Sequence, residues 1–289
     1  MKRIFFFATI FLFLHRVSFS QNSEGAKIKT KILQPAKPET VGFSPERLRR
    51  IDGNINDWIK DGRLNGCAAL IIRNGKIIYN KAFGYDDIEK IKPIRTDNIF
   101  RIASQTKAIT STAILMLYEE GKFLLDDAVS RYIPEFAKQQ VLDKFNPADS
   151  SYTTIPAKTE ITIRQLLTHT SGIGYAQIGS KEANAIFSKA NITAGIGVEK
   201  GRMLADDMKK LGKIPLMHQP GEKFTYGLNT DLLGYLVEVI SGMRLDEFFR
   251  KKIFEPLGMN DTYFYLPAAK QNRLVSFFEE VDKDRKSVV

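Results

Sequence analysis

The chain has 289 residues, of which 43% are hydrophobic and 26% are charged. A chain of this length and composition can bury a large core, and its content of large apolar residues excludes a disordered or collagen-like protein. The formal net charge is +10, but the basic residues are interspersed singly with acidic ones. This pattern favours a mixed solvated surface over a nucleic-acid-binding patch, so no nucleic-acid partner is predicted.

The N-terminus has the pattern of a secretory signal peptide. Lys2 and Arg3 precede an apolar run over residues 4–14, and small residues occupy the two positions that a signal peptidase reads. The run is too short for a membrane-spanning helix, so no stable span is predicted after cleavage. A buried N-terminal helix or strand is the alternative. We therefore predict a signal peptide over residues 1–20 and a mature chain, residues 21–289, in the periplasm or outside the cell.

The first elements of the mature chain are a predicted helix and a predicted β-hairpin. Ser44 is an N-cap residue followed by proline, and it begins an amphipathic helix that ends at Gly62. Two strand-like runs, residues 67–73 and 76–83, are joined by an Asn-Gly pair, which is the strongest short hairpin signal. The order of helix and hairpin predicts an antiparallel sheet covered by a helix.

The rest of the chain is predicted to be mostly helical. A long apolar helix runs from about Ser104 to Glu120, and helices and loops follow it. Residues 277–289 are charged and show no strand alternation. The predicted fold class is therefore α+β, with an antiparallel sheet flanked by helices. Its predicted parts are a sheet-forming lobe over residues 26–101, a mainly helical lobe over 102–265 and a tail over 266–289.

Ser104 and Lys107 form an S-x-x-K motif at the start of the long helix. Residues three apart share a helical face, so the lysine ammonium group can reach the serine hydroxyl. A lysine whose pKa is lowered by burial can accept the hydroxyl proton and make the serine a nucleophile. The helix N-terminus adds backbone N–H groups that face developing negative charge. The motif by itself is expected about once by chance in a chain of this length, so the flanking sequence decides whether it marks an active site.

Four segments supply that context. The motif segment, Phe100-Arg-Ile-Ala-Ser-Gln-Thr-Lys107, resembles the active-site segment of class C β-lactamases, D-alanyl-D-alanine carboxypeptidases and related bacterial esterases. Three later segments resemble the same serine β-lactamase-like family in the same order: residues 166–172, 219–226 and 254–261. The resemblance implies a β-lactamase/transpeptidase-like fold. It also implies a serine hydrolase that forms an acyl-enzyme with an ester, a β-lactam or a D-Ala-peptide carbonyl.

The resemblance further implies roles for two residues beyond the motif. Tyr226 matches the tyrosine of the family's Y-x-N motif, which relays the proton with Lys107, and a nearby ammonium group favours the phenolate. The third motif position is Leu228, and the amide falls at Asn229, which is predicted either to bind substrate or to cap the next helix. The altered motif favours an esterase or general hydrolase. No cofactor is implied, and no metal-ligand spacing occurs in the sequence.

A Ser-His-Asp triad is the alternative arrangement, with His169 or His218 beside Ser104. In the resembled family the histidine of the H-T-S-G segment supports the architecture of the site. We therefore expect His169 to be a hydrogen-bonded structural residue and His218 to be a loop residue.

The family's third element, K-T-G or H-x-G on a late strand, has no counterpart after Tyr226. In the family that strand supplies a second oxyanion-hole N–H, and losing one such donor costs about 10²–10³ in rate. The sequence therefore predicts a C-terminally truncated chain that lacks the last strands of its sheet and is weakly active at best. The alternative function is a non-catalytic cell-wall or peptide-binding homologue, or a gene fragment. A monomer acting on a small molecule or peptide is expected.

Overall fold

The computed structural model describes residues 33–87, 89, 91–176, 178–192, 201–281 and 284–288. The predicted signal peptide lies outside them. The helices are α1 (Pro45–Lys60), α2 (Thr106–Glu119), α3 (Ile163–Leu167), α4 (Lys181–Lys189), α5 (Leu204–Leu211), α6 (Asn229–Ser241), α7 (Leu245–Phe249) and α8 (Glu255–Leu257). The strands are β1 (Gln34–Pro35), β2 (Gly66–Arg73), β3 (Lys76–Gly84), β4 (Gln140–Asn146), β5 (Ser151–Pro156), β6 (Phe277–Val281) and β7 (Asp284–Val288).

Helix α1 begins where the sequence predicts. The Ser44 hydroxyl accepts a hydrogen bond from the backbone N–H of Arg47 at 3.2 Å, and Pro45 occupies the first helical position, where its missing N–H costs nothing. The apolar stripe of α1 buries Leu48 and Ile55, and the helix contacts β3. The predicted helix against the sheet is therefore confirmed.

The predicted hairpin is also present, as β2 and β3 paired antiparallel. Its turn residues Asn74 and Gly75 have φ of 50° and 69°, the left-handed conformations that a tight hairpin turn requires. Strand β1 adds parallel to β3, which gives the order β1-β3-β2. Within the described residues no strand pairs with the outer edge of β2, and Leu70 and Ile72 on this strand are exposed.

The main core lies among the helices. Helix α6 is central, because α2, α3, α5 and α7 all contact it. Its buried apolar side chains are Leu232, Leu233, Leu236 and Val237, and those of α2 are Ala113, Ile114 and Leu117. Burying a large apolar side chain contributes about 1.5–3 kcal/mol relative to leaving it exposed. The packing of α2 against α6 therefore fixes the relative position of the side chains at their first turns.

Two hairpins differ from the sequence prediction. Strands β4 and β5 pair within the region predicted as mainly helical, and β6 and β7 pair in the tail, where no strand is predicted. All six residues of β5 are exposed, and a register shift interrupts its pairing with β4. Strands are predicted from alternating apolar and polar residues, and an exposed, irregular strand pair does not need that alternation. The sequence therefore gives no signal for this hairpin.

Candidate active site

Ser104 lies in a 3-10 turn, Ala103–Gln105, that leads directly into α2. The extended segment before the turn is held by the C-terminal part of the chain. The Ile99 backbone N–H donates to the Arg273 carbonyl at 2.8 Å, and the Val275 N–H donates to the Ile99 carbonyl at 2.9 Å. Ser104 itself is exposed, so its hydroxyl can be approached from solvent.

The backbone is strained at the residue before the serine. Ala103 has a φ of 41°, in the left-handed region that a residue with a Cβ rarely adopts. Such a conformation costs about 1–3 kcal/mol and persists only where the surrounding structure enforces it. The strain therefore marks the turn that orients Ser104.

Three sequence-predicted residues meet at this turn. The Ser104 Oγ lies 2.7 Å from the Tyr226 hydroxyl oxygen and 3.3 Å from Lys107 Nζ, which donates to it. Lys107 Nζ also lies 4.8 Å from the centroid of the Tyr226 ring. The helical spacing from the 3-10 turn into α2 brings Lys107 to Ser104, whereas the tertiary fold brings Tyr226 from 122 residues away.

The electrostatics of the cluster favour the ionised form of Tyr226. Burial raises the pKa of the Tyr226 hydroxyl, but hydrogen bonding with Lys107 and Ser104 and the Lys107 charge outweigh it, so the pKa lies below its usual value. A phenol with a depressed pKa, in contact with a serine hydroxyl, has the chemistry of a general base.

Aromatic rings fix the orientation of Tyr226. The His169 ring stacks on it with centroids 5.2 Å apart and planes 12° apart, and the Tyr175 ring stacks with centroids 5.6 Å apart. The next residue is Gly227, where a Cβ would lie 2.0 Å from the Ile173 carbonyl oxygen. Only glycine allows this close approach, which brings the turn carrying Tyr226 against the segment carrying Tyr175.

A partly buried hydrogen-bond network supports His169. Its Nδ1 accepts from the Asn229 side-chain amide at 3.0 Å and from the Gly227 N–H at 3.4 Å. Ser171 Oγ donates in turn to Asn229 Oδ1 at 2.5 Å. Burial, and secondarily the Lys107 charge, hold the pKa of His169 below its usual value. Because both of its partners donate, Nδ1 carries no proton, and His169 serves as a neutral support for the Tyr226 ring.

Neither histidine forms the alternative triad in the described part of the chain. The Ser104 hydroxyl bonds there to Tyr226 and Lys107, not to an imidazole. His218 is buried, and its Nε2 lies 2.8 Å from the Thr225 hydroxyl oxygen.

The structure argues against both predictions for Asn229. Its side chain is fully buried and engaged by His169 and Ser171, so it offers no surface to a substrate. It is also not a cap, because Leu228 occupies that position and Asn229 is the first residue of α6. The local motif did not reveal that this amide is buried.

Sequence reasoning missed Ser171, whose hydroxyl holds the Asn229 amide, and Tyr175, whose ring stacks on Tyr226. Among the described residues, no group of three or more His, Cys, Asp or Glu side chains could hold a metal ion. None of the described helices is long and apolar enough to cross a membrane.

Several known proteins are similar to this chain in sequence and in fold. The Beta-lactamase family model matches residues 51–288. Esterase EstB from Burkholderia gladioli is 34% identical over 215 residues, which cover 74% of this chain and 51% of that protein. The solved structure of EstCE1, a hydrolase with promiscuous acyltransferase activity, superposes with a TM-score of 0.70 at 29% identity and covers 84% of this chain and 59% of that one.

A third relative is the octameric penicillin-binding protein homologue from Pyrococcus abyssi. Its TM-score is 0.61 at 26% identity, over 83% of this chain and 50% of that one. The chain thus spans between half and three fifths of the length of these relatives. The predicted α+β, β-lactamase/transpeptidase-like fold is confirmed, and the chain belongs to the Beta-lactamase family.

Proposed function

We propose that this protein is a serine hydrolase in which Ser104 attacks an ester carbonyl and forms an acyl-enzyme. The observation that carries the proposal is the contact of Ser104 Oγ with both the Tyr226 hydroxyl, at 2.7 Å, and Lys107 Nζ, at 3.3 Å. The similarity to Esterase EstB and EstCE1 supports esters as the substrate class. β-Lactams and D-Ala peptides are the alternative substrates of the same chemistry.

The geometry supports a definite proton path. The Lys107 ammonium group stabilises Tyr226 as a phenolate, and this phenolate takes the hydroxyl proton as Ser104 Oγ bonds to the carbonyl carbon and the negative charge moves to the carbonyl oxygen. We propose that the Ser104 backbone N–H, in the turn that leads into α2, donates a hydrogen bond to the developing oxyanion. Tyr226 then gives the proton to the departing alcohol. Water attacks the acyl-enzyme by the same route and restores the serine.

Hydrolysis of a short nitrophenyl ester and of a chromogenic cephalosporin tests this proposal. Ester turnover is expected, together with its loss to background in Ser104→Ala. Ser188→Ala, which changes an exposed serine on α4, is the matched control and should keep the full rate. Turnover that persists in Ser104→Ala would exclude Ser104 as the nucleophile. Absence of turnover, together with no labelling of Ser104 by a phosphonate probe, would exclude the catalytic function.

The alternative is a non-catalytic cell-wall or peptide-binding protein, which the similarity to the penicillin-binding protein homologue supports. It predicts muropeptide binding that is unchanged in Ser104→Ala. Calorimetric titration of the wild type and of Ser104→Ala with the same muropeptide separates this function from hydrolysis.

We also propose that the protein is exported and acts as a monomer on a small molecule or peptide. The charged start and short apolar run of the sequence support export. Sequencing the N-terminus of the protein recovered from the periplasm or medium should give a chain that begins at residue 21. Light scattering of that protein should give the mass of one chain, whereas an eightfold mass would match the octameric relative.

A further inference from the structure

A buried carboxylate that the proton path does not use lies just after the end of β3. Asp86 is 1% exposed, and one of its carboxylate oxygens pairs with the Lys92 ammonium group. Its own backbone N–H donates to the Lys92 carbonyl at 2.7 Å, and the Ile94 N–H donates to the Gly84 carbonyl at 3.0 Å. The position of Asp86 relative to the sheet is therefore fixed by backbone hydrogen bonds.

The other oxygen of this carboxylate binds the C-terminal part of the chain. Asp86 Oδ1 accepts a hydrogen bond from the backbone N–H of Ser276 at 2.6 Å, between residues 190 positions apart in sequence. A buried carboxylate oxygen without a donor is costly, so this bond holds the donor segment in place. Asp86 thus anchors residues 273–276, which we call the strap.

The strap in turn holds the segment that leads to Ser104. The Ile99 carbonyl accepts a hydrogen bond from the Val275 N–H at 2.9 Å, and the Arg101 guanidinium donates to the Val275 carbonyl at 3.0 Å. In the part of the chain that the structure describes, residues 97–101 make all their hydrogen bonds to distant residues with the strap. The strap therefore joins the sheet to the segment before the nucleophile.

The strained turn begins directly after this attachment. Only Ile102 separates Arg101 from Ala103, whose φ of 41° persists only where the surrounding structure enforces it. The side chains of residues 102–104 are all exposed, so their packing contributes little to holding the turn. The hydrogen bonds to the strap therefore set the direction in which the chain enters the turn.

We propose that Asp86 is a positioning residue for Ser104: its carboxylate anchors the strap, and the strap holds the turn that presents the Ser104 hydroxyl to Tyr226. The proposal rests on the function proposed above. Among the described residues, the hydrogen bonds of the Asp86 side chain go to Lys92 and Ser276, so Asp86 acts on the reaction only through the strap. Misplacing a catalytic group by about 1 Å can cost about 100-fold in rate, so a loosened strap should lower kcat.

Two neutral double variants isolate the anchoring hydrogen bond. Asp86→Asn/Lys92→Met removes both charges but keeps an oxygen that can accept from the Ser276 N–H, whereas Asp86→Ala/Lys92→Met removes the acceptor as well. With the nitrophenyl ester, the first variant should keep kcat within about twofold of the wild type. The second should lower kcat about 10-fold or more, while KM changes by less than about twofold.

The comparison of the two variants separates positioning from stability. If the pair serves only stability, both variants have a lower melting temperature and an unchanged kcat in the folded protein, and the proposal is overturned. An equal fall of kcat in both variants also overturns it, because the charges and not the acceptor are then responsible.

Hydrogen–deuterium exchange of the backbone, followed by mass spectrometry, tests the anchoring without turnover. The N–H groups of Ile99 and Val275 join the two segments and should exchange about 10-fold faster in Asp86→Ala/Lys92→Met than in Asp86→Asn/Lys92→Met. Equal exchange in the two variants overturns the proposal, whether or not the protein hydrolyses esters. Faster exchange in a protein whose wild type hydrolyses no ester supports the anchoring and counts against the function proposed for Ser104.

If Asp86→Ala/Lys92→Met does not fold, Ser276→Pro replaces it, because it removes the donor of the same hydrogen bond at an exposed residue. Ser276→Ala keeps the N–H and is its matched control. Ser276→Pro should lower kcat by the same factor, and an unchanged kcat overturns the proposal. Failure of both variants to fold would make the bond a requirement for folding and overturns the proposal as well.

Discussion

The helices around α6 and the three-stranded sheet β1–β3 bury their apolar side chains to very different extents. Leu232 and Leu236 of α6 are fully buried, and their neighbours on α2 and α7 close the same core. On the sheet, Leu70 and Ile72 of β2 are 55% and 43% exposed. One region is held by a closed core, and the other by its hairpin and by α1.

The proposed active site belongs to the closed region. Lys107 projects from α2, Tyr226 lies three residues before the start of α6, and Asn229 in the first turn of α6 holds His169. Contacts of 2.7 to 3.3 Å require elements that do not shift relative to one another, and the packing of α2 against α6 provides this. Substitutions in the helical region should therefore affect both stability and chemistry, while equivalent changes on the sheet should affect neither strongly.

The largest effect is expected for Gly227→Ala. Its new Cβ would lie 2.0 Å from the Ile173 carbonyl oxygen and 2.6 Å from that of Gly174, and backbone cannot move aside as a flexible side chain can. We expect loss of the folded protein or a fall in ester hydrolysis of at least about 100-fold, since misplacing a catalytic group by 1 Å costs that much. Circular dichroism and the ester assay measure the two outcomes.

Gly53→Ala is the matched control in the other region. Gly53 is exposed in α1, with open space around the position of a Cβ. Alanine there should stabilise the protein by up to about 1 kcal/mol, because glycine is the poorer helix former. A wild-type rate in Gly227→Ala would show that the approach of the Tyr226 turn to residue 173 is not needed.

Leu236→Ala and Leu70→Ala compare the two regions directly. Deleting a fully buried leucine leaves a cavity and should cost about 2–5 kcal/mol, whereas surface substitutions usually change stability by less than about 0.5 kcal/mol. Urea denaturation followed at several wavelengths gives both values. A large loss from Leu70→Ala would mean that β2 is covered in the protein as it exists in solution.

The two regions also differ in how well the sequence predicts them. The hairpin is encoded locally, because Asn74 and Gly75 adopt the left-handed conformations that the turn requires. The proximity of Ser104 and Lys107 is predictable for the same reason, since helical spacing brings i and i+3 together, whereas their role was predicted from the resemblance of the flanking segments. The local sequence pattern is sufficient to predict that two residues are neighbours wherever they are close in sequence.

Long-range partners are not predictable in this way. Tyr226 could be assigned only through a family resemblance, because nothing in the local sequence indicates that it reaches Ser104. Nothing indicates either that Asn229 points inward to Ser171. These positions depend on how α6 packs, and packing is a property of the whole core.

A smaller effect is expected for Asn229→Ala. The substitution leaves His169 Nδ1 with only the longer bond from the Gly227 N–H and removes the acceptor of the buried Ser171 hydroxyl, and a buried polar group left unpaired costs about 1–3 kcal/mol. Catalysis should fall with stability, because the His169 ring that stacks on Tyr226 loses its anchor. A double-mutant cycle with Ser171→Ala, read by urea denaturation, should give a coupling energy above about 0.5 kcal/mol. Additive losses would show that the two side chains act independently.

The smallest effect is expected for Asp261→Asn, in the contact between the segment before Ser104 and the C-terminal part of the chain. Arg273 donates to the backbone carbonyl of Asp97 at 2.8 Å and pairs with Asp261 at 2.7 Å, which ties the segment before Ser104 to the C-terminal part of the chain. Hydrogen bonds from Arg273 and Lys270 lower the pKa of Asp261 to about 2. The pair is partly exposed, so Asp261→Asn should cost less than about 1 kcal/mol at neutral pH.

The stability lost in Asp261→Asn should depend on pH, because the pKa of Asp261 is lowered in the folded chain. An unfolded aspartate has a pKa of about 3.9, so the ionised Asp261 stabilises the folded chain fully above that pH. The stabilisation is lost as pH falls toward 2, where the folded carboxyl also takes up a proton. Melting temperatures of the wild type and Asp261→Asn should therefore differ at pH 7 and converge near pH 2.

Asp57→Asn, which removes an exposed carboxylate from α1, controls for the loss of a negative charge. A constant difference from pH 7 to pH 2 would mean that the substitution acts through packing, and that the contact between the two segments depends on shape rather than on charge.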